Sequence, residues 1–160
     1  MRDRKIRILT LLPLLLLAVW SPQLQAVGLE DIPGYHTANA YLPSHAAATA
    51  TEGYPIFTAP FRCEITSILI VPAAAVTGAD SNSTYLNLIN RGTAGSGTTE
   101  IGSYDLTTGN NLATSDEKVL YAPATPLAVS DGNVLAFIFE KHGSGLLVPA
   151  LLVQVTFRSR

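Results

Sequence analysis

Three apolar runs separated by two glycine-bearing breaks constrain the fold of this chain more than any other feature. From Thr125 to Phe157 the sequence reads TPLAVSDGNVLAFIFEKHGSGLLVPALLVQVTF. In the last run Leu151, Val153, Val155 and Phe157 alternate with Leu152, Gln154, Thr156 and Arg158. Successive side chains of a strand point to opposite faces, so this alternation predicts one buried and one largely wet face. Asp131-Gly132 between two apolar runs reads as a hairpin, because a type I′ turn needs positive φ at both central residues. The stretch therefore predicts the centre of an antiparallel sheet.

Upstream, short strand-like runs recur between turn residues. Pro55–Pro60 is bracketed by prolines, which donate no ladder hydrogen bond and so mark an edge. In 62–71 (RCEITSILIV), Cys63, Ile65, Ser67, Leu69 and Val71 alternate with Glu64, Thr66, Ile68 and Ile70. Its second half is apolar on both faces, which suits a strand covered by a second sheet on one side and a neighbour on the other. Further strands are predicted at 84–90, 99–105, 117–122, 125–130, 133–141 and 150–157, with Leu86 and Leu88 facing away from Tyr85, Asn87 and Ile89. No later stretch has helical periodicity. The fold class is all-β: a single antiparallel β-sandwich or jelly roll of about eight strands over 55–160.

The N-terminal part is different. Arg2, Arg4, Lys5 and Arg7 precede an apolar run of 13 residues, Ile8 to Trp20, and a short polar exit ends at Ala26. A membrane span needs about 20 apolar residues, so 1–26 reads as a secretory signal peptide or as a start assigned too far upstream, Val27 then marking a GTG codon. Residues 27–54 show no sustained period beyond a short strand near Ala40–Leu42. They read as an extended arm, whose rings (Tyr35, His36, Tyr41, His45) favour docking on a neighbour over a free terminus.

Without the leader the chain carries six basic and eleven acidic residues. The basic ones are scattered, with no stripe to neutralise phosphates, which argues against nucleic acid as a partner. The mature form has no membrane segment to offer either. Cys63 stands alone, so an intrachain disulfide is excluded and a buried thiol is expected. The three histidines lack the close pairing of zinc ligands and read as surface or interface residues. Ser96 and Ser144 lie in Gly-Ser-Gly turns rather than a nucleophile elbow. The loop 92–97 lacks the lysine and helix of a phosphate cradle. Asp80-Ser81-Asn82-Ser83 and Asp116-Glu117 offer oxygens that a calcium ion could use, without a full calcium-loop signature. No catalytic, cofactor or metal residue is assigned, and the chain reads as a non-enzyme.

The runs Ala59-Pro60-Phe61-Arg62-Cys63-Glu64-Ile65, Asn87-Leu88-Ile89-Asn90-Arg91-Gly92-Thr93 and Val129-Ser130-Asp131-Gly132-Asn133-Val134-Leu135 resemble small β-sandwich structural proteins of tailed bacteriophages. The resemblance spans roughly residues 56–157. It implies a head-decoration, head-fibre or tail-associated subunit on the virion surface, homo-oligomeric with a trimer favoured, bound to a capsid or tail lattice. The interface expected on this reading uses Tyr35, His36 and Tyr41 of the arm and Ile68 and Ile70 of the two-sided strand. The competing expectation is a secreted bacterial binding module that engages a glycan or surface protein through tyrosine-bearing loops.

Overall fold

The computed structural model describes residues 34–160. The leader 1–26 and the first residues of the arm lie outside them. Nine strands occur among the described residues: β1 (Tyr35–Leu42), β2 (Glu52–Thr58), β3 (Cys63–Pro72), β4 (Ser83–Gly92), β5 (Thr99–Asp105), β6 (Lys118–Tyr121), β7 (Leu127–Val129), β8 (Val134–His142) and β9 (Leu151–Ser159). They form two antiparallel sheets, which is the all-β sandwich that the alternating runs predict.

The first sheet has the order β1-β9-β3-β6, with β7 also on β3; the second has the order β2-β8-β4-β5. β1 pairs with β9, β2 with β8, β3 with β6 and β4 with β5. Those four pairs describe one long hairpin with its tip between β4 and β5, rolled so that β9 also meets β3 and β8 also meets β4. This is a jelly roll.

The inner faces supply the core. From β8 come Leu135, Phe137 and Phe139, from β4 Leu86 and Leu88, and from β9 Leu151, Val153, Val155 and Phe157, all buried. The alternation of β9 and of β4 is therefore as the sequence predicts. Cys63 packs in the same core, and burial pushes its thiol up to about 11. The charged thiolate would lose its hydration there.

β3 departs from simple alternation. Ile65 pairs with Phe157 and Ser67 with Thr156, so two steps of β3 oppose one step of β9. The Thr66 hydroxyl donates to the Thr156 carbonyl at 3.1 Å across this bulge. An extra residue reverses the phase of everything after it. Cys63 and Ile65 point inward, and after the bulge so do Ile68 and Ile70, while Ser67, Leu69 and Val71 turn outward and are half-buried. Ile68 and Ile70, expected at a subunit contact, are core residues of their own chain with no exposed surface.

Two further expectations are corrected. The segment read as an arm supplies β1 and the start of β2 to its own sandwich. His36, Ala38, Ala40 and Leu42 face inward, and the small inward residues let β1 sit close against the core. The Asp131-Gly132 turn does not close a two-stranded hairpin, because β7 belongs to the first sheet and β8 to the second. Gly132, at φ 73°, carries the chain between layers, and its amide donates to the Ala59 carbonyl at 2.9 Å. The Gly143-Ser144-Gly145 turn makes the same crossing from β8 to β9. The last two strands are thus central, each in a different sheet.

Candidate interaction face

The outer face of the first sheet is ordered in rows by strand register. Tyr41 lies beside Leu152 and Leu152 beside Val71; the next row is Asn39, Gln154, Leu69 and Val119. Below them come Thr37, Thr156 and Ser67, and finally Tyr35, Arg158 and Glu64. The face therefore grades from apolar at the Tyr41 end to charged at the Tyr35 end.

At the apolar end Tyr41 is 81% exposed and Val119 47% exposed. Tyr41, Val71, Pro72, Ser115, Ala150 and Leu152 line a shallow depression of about 260 Å³. At the charged end the Arg158 guanidinium donates to Glu64 Oε2 at 3.0 and 2.8 Å, and Arg160 Nε lies 3.7 Å from Glu64 Oε1. The Glu64 carboxylate beside Arg158 holds the guanidinium pKa above its ordinary value.

Of the residues predicted to form an interface, Tyr35 and Tyr41 share this face at opposite ends of β1. His36 lies on the inward side, with its ring 5.5 Å from that of Phe157. Val71, Val119 and Leu152 belong to the face and were missed in sequence. For Val71 the signal was hidden by the bulge, and for Val119 by the shortness of β6.

The histidines divide. His45, expected at a surface or an interface, is buried; it stacks on Phe139 with centroids 4.8 Å apart and an interplanar angle of 6°. Its Nδ1 is 3.3 Å from Glu52 Oε2, and its backbone bridges to Val148. The exposed His142 stacks on Tyr85 at 5.7 Å.

The oxygen-bearing loops hold backbone. Asp80 Oδ1 accepts from the Thr108 amide at 2.9 Å, Asn82 Oδ1 from the Ser144 amide at 2.8 Å, and Asp116 Oδ1 from the Glu117 amide at 3.0 Å. Among the described residues no group of three or more His, Cys, Asp or Glu side chains gathers as a metal site would require. All six tyrosines of the chain lie on strands, not loops. On the second sheet, Gly53, Pro55, Val134 and Ala136 floor a depression of about 330 Å³ with Arg91 at its side.

No protein-family model matches this sequence, and no curated protein does. Among solved structures the chain is similar to one described as the structure of infectious bursal disease virus Gx strain. The TM-score is 0.36 and the identity 13%, over 79% of this chain and 32% of that one. A structure of the Gt strain of the same virus gives a TM-score of 0.24 and 11% identity, over 79% of this chain and 42% of that one. The chain thus spans about a third of the first matched chain and about two fifths of the second.

Proposed function

We propose that this chain is a non-enzymatic structural subunit of a virion, a capsid-decoration or head/tail surface protein that docks through the outer face of the first sheet. The observation that carries the reading is the apolar end of that face, where Tyr41 and Val119 stand exposed beside Leu69, Val71 and Leu152. A cluster of this kind on a sheet otherwise faced with polar groups marks a contact surface. Jelly rolls serve capsid proteins, lectins and cupins alike, so the role rests on the face rather than on the fold. The virion assignment draws its support from the resemblance of the strand-and-turn runs to tailed-phage structural proteins.

Covering about 300 Å² of apolar surface stabilises by about 7 kcal/mol at roughly 25 cal/mol per Å². Association itself costs about 4–15 kcal/mol, so one copy binds a lattice weakly and several linked copies bind it well. Linked copies follow from this arithmetic, and the resemblance favours a homo-oligomer, a trimer above other forms. Co-sedimentation with virions of the source that encodes the chain tests the reading. Tyr41→Asp combined with Leu152→Asp is expected to abolish co-sedimentation while the far-ultraviolet spectrum and melting transition persist. Undiminished binding by that folded variant overturns it.

A second reading, the secreted binding module, loses its tyrosine-bearing loops but gains the depression beside Arg91. A folded Arg91→Ala variant that loses glycan or surface-protein binding, with virion binding absent in the parent, would favour it.

A further inference from the structure

A sheet edge left with unpaired N–H and C=O groups is a template for another strand, and folded proteins ordinarily blunt such edges with bulges, prolines, charges or short length. Four strands here carry a blunted edge. β2 has a register shift between Pro55 and Phe57, and Pro55 itself lacks an N–H. β5, which contains Glu100 and Asp105, faces a shift between Leu88 and Ile89 of its partner. β6 has four residues including Lys118 and pairs across a shift between Ile68 and Leu69. β7 has three residues.

β1 has none of these protections. Its eight residues, YHTANAYL, include no Asp, Glu, Lys, Arg, Gly or Pro. They pair with β9 in unbroken register from Tyr35↔Arg158 to Leu42↔Leu151. Among the described residues no strand pairs with the other side of β1.

We propose that a second copy of this chain occupies that edge, β1 against β1 antiparallel about a two-fold axis at Ala38, joining two first sheets into one. Residues opposite each other in an antiparallel pair project to the same face. An axis at Ala38 sets Tyr35 opposite Tyr41 of the partner subunit, and Thr37 opposite Asn39 of the partner subunit, each twice, on the outer face. On the inner face His36 meets Ala40 of the partner subunit, a large residue against a small one. The sequence Tyr-His-Thr-Ala-Asn-Ala-Tyr is close to symmetric about Ala38 in just the positions that this pairing matches. It sets no like charges in opposition. An eight-residue strand is about 27 Å long and two stacked sheets lie about 10 Å apart, so the sandwich wall at this edge measures about 270 Å² per protomer. The two walls bury about 540 Å² in total, below the roughly 1,000 Å² of a permanent interface, so the main-chain hydrogen bonds of the added strand supply the rest and the pairing is reversible.

The proposal deepens the assembly reading and rests on it for its biological purpose, but its test is separate. Sedimentation equilibrium of the full chain is expected to show a reversible two-fold dimer, in place of the trimer that the resemblance favours. In Thr37→Lys/Asn39→Lys, the axis sets lysine against lysine twice. The neighbours within the chain, Thr156 and Gln154, are neutral, so the fold tolerates the change. The dimer dissociation constant is expected to rise at least about 100-fold, since opposed like charges cost several kcal/mol at an interface. Thr37→Lys/Asn39→Glu sets lysine against glutamate in the same register and is expected to restore the dimer. Exchange of the β1 amides that point away from β9 should slow with protein concentration in the parent and not in the double-lysine variant. An unchanged association in that variant overturns the proposal, as does a parent that stays monomeric. A parent that dimerises but fails to bind virions leaves the edge pairing standing and overturns the assembly reading alone.

Discussion

The bulge at Thr66 makes a prediction that two substitutions of equal chemical size resolve. Ile68→Ala and Leu69→Ala each remove three carbons from adjacent residues of β3. Ile68 has no exposed surface and lies in the core cluster with Val153, Val155 and Phe137. Three buried carbons at about 0.8 kcal/mol each give about 2.4 kcal/mol of lost transfer energy. The cavity left behind raises the expected loss to about 3–4 kcal/mol, inside the range for buried isoleucine truncations. Leu69 is half-buried on the outer face, between Gln154 and Val119. About half the transfer energy is lost there and water reaches the gap, so about 1 kcal/mol is expected. Urea unfolding of both variants against the parent measures the difference, expected at about 2–3 kcal/mol with unchanged m. A Leu69→Ala loss equal to or larger than that of Ile68→Ala would refute the reversed phase and return Ile68 to the outer face.

Deleting Thr66 should leave both halves of β3 in phase, because Ile65↔Phe157 and Ser67↔Thr156 then become consecutive pairs; a cooperative melt is expected, whereas deleting Leu69 should abolish it. Gly78→Ala should destabilise by about 1–3 kcal/mol in urea, since the added methyl would run into the backbone carbonyl oxygens of Thr107 and Asn110. Cys63 has a pH signature. Its folded thiol titrates near 11 against an ordinary 9.0, so the folded chain holds the proton more tightly than the unfolded one. The stability contributed by that difference is complete below about pH 9 and is lost as pH rises through about 11. The urea midpoint of the parent should therefore fall more steeply over that window than that of Cys63→Ala, and Cys63 should resist alkylation in the native protein at pH 8.

How much of this was legible in the sequence depends on how apolar each strand is. β4, β8 and β9 announce themselves because large aliphatic or aromatic residues fill their inward positions. β1 follows the same two-residue period, but its inward residues are His36, Ala38, Ala40 and Leu42, and alanine scarcely registers as a core signal. The bulge in β3 left no composition cue. Thr66 and Ser67 are ordinary strand residues, and only the pairing with β9 shows that one of them is extra. The sheet assignment of the Asp131-Gly132 turn was equally hidden, since a turn between layers and a turn within a sheet both need Gly132 at positive φ. For the interaction face, Tyr35 and Tyr41 were visible as exposed aromatics. Val71 and Leu152 entered it through register, which a single sequence does not display.

The position of β9 between β1 and β3 has a consequence for how the chain acquires its structure during synthesis. β1 and β3 are made early, yet neither pairs with the other; each waits for Leu151–Ser159 to fill the gap between them. β2 and β4 wait in the same way for β8. Until both strands have left the ribosome, β1 and β2 have no partner in the fold and β3 and β4 each lack one of theirs, a state in which edges find wrong partners. Closure of such distant segments is also intrinsically slow. The β4–β5 hairpin, whose strands are neighbours in sequence, is the one large piece free to form before then. The unprotected edge of β1 therefore spends the whole of translation available to other chains, and a second copy still being made nearby is among the first it would meet.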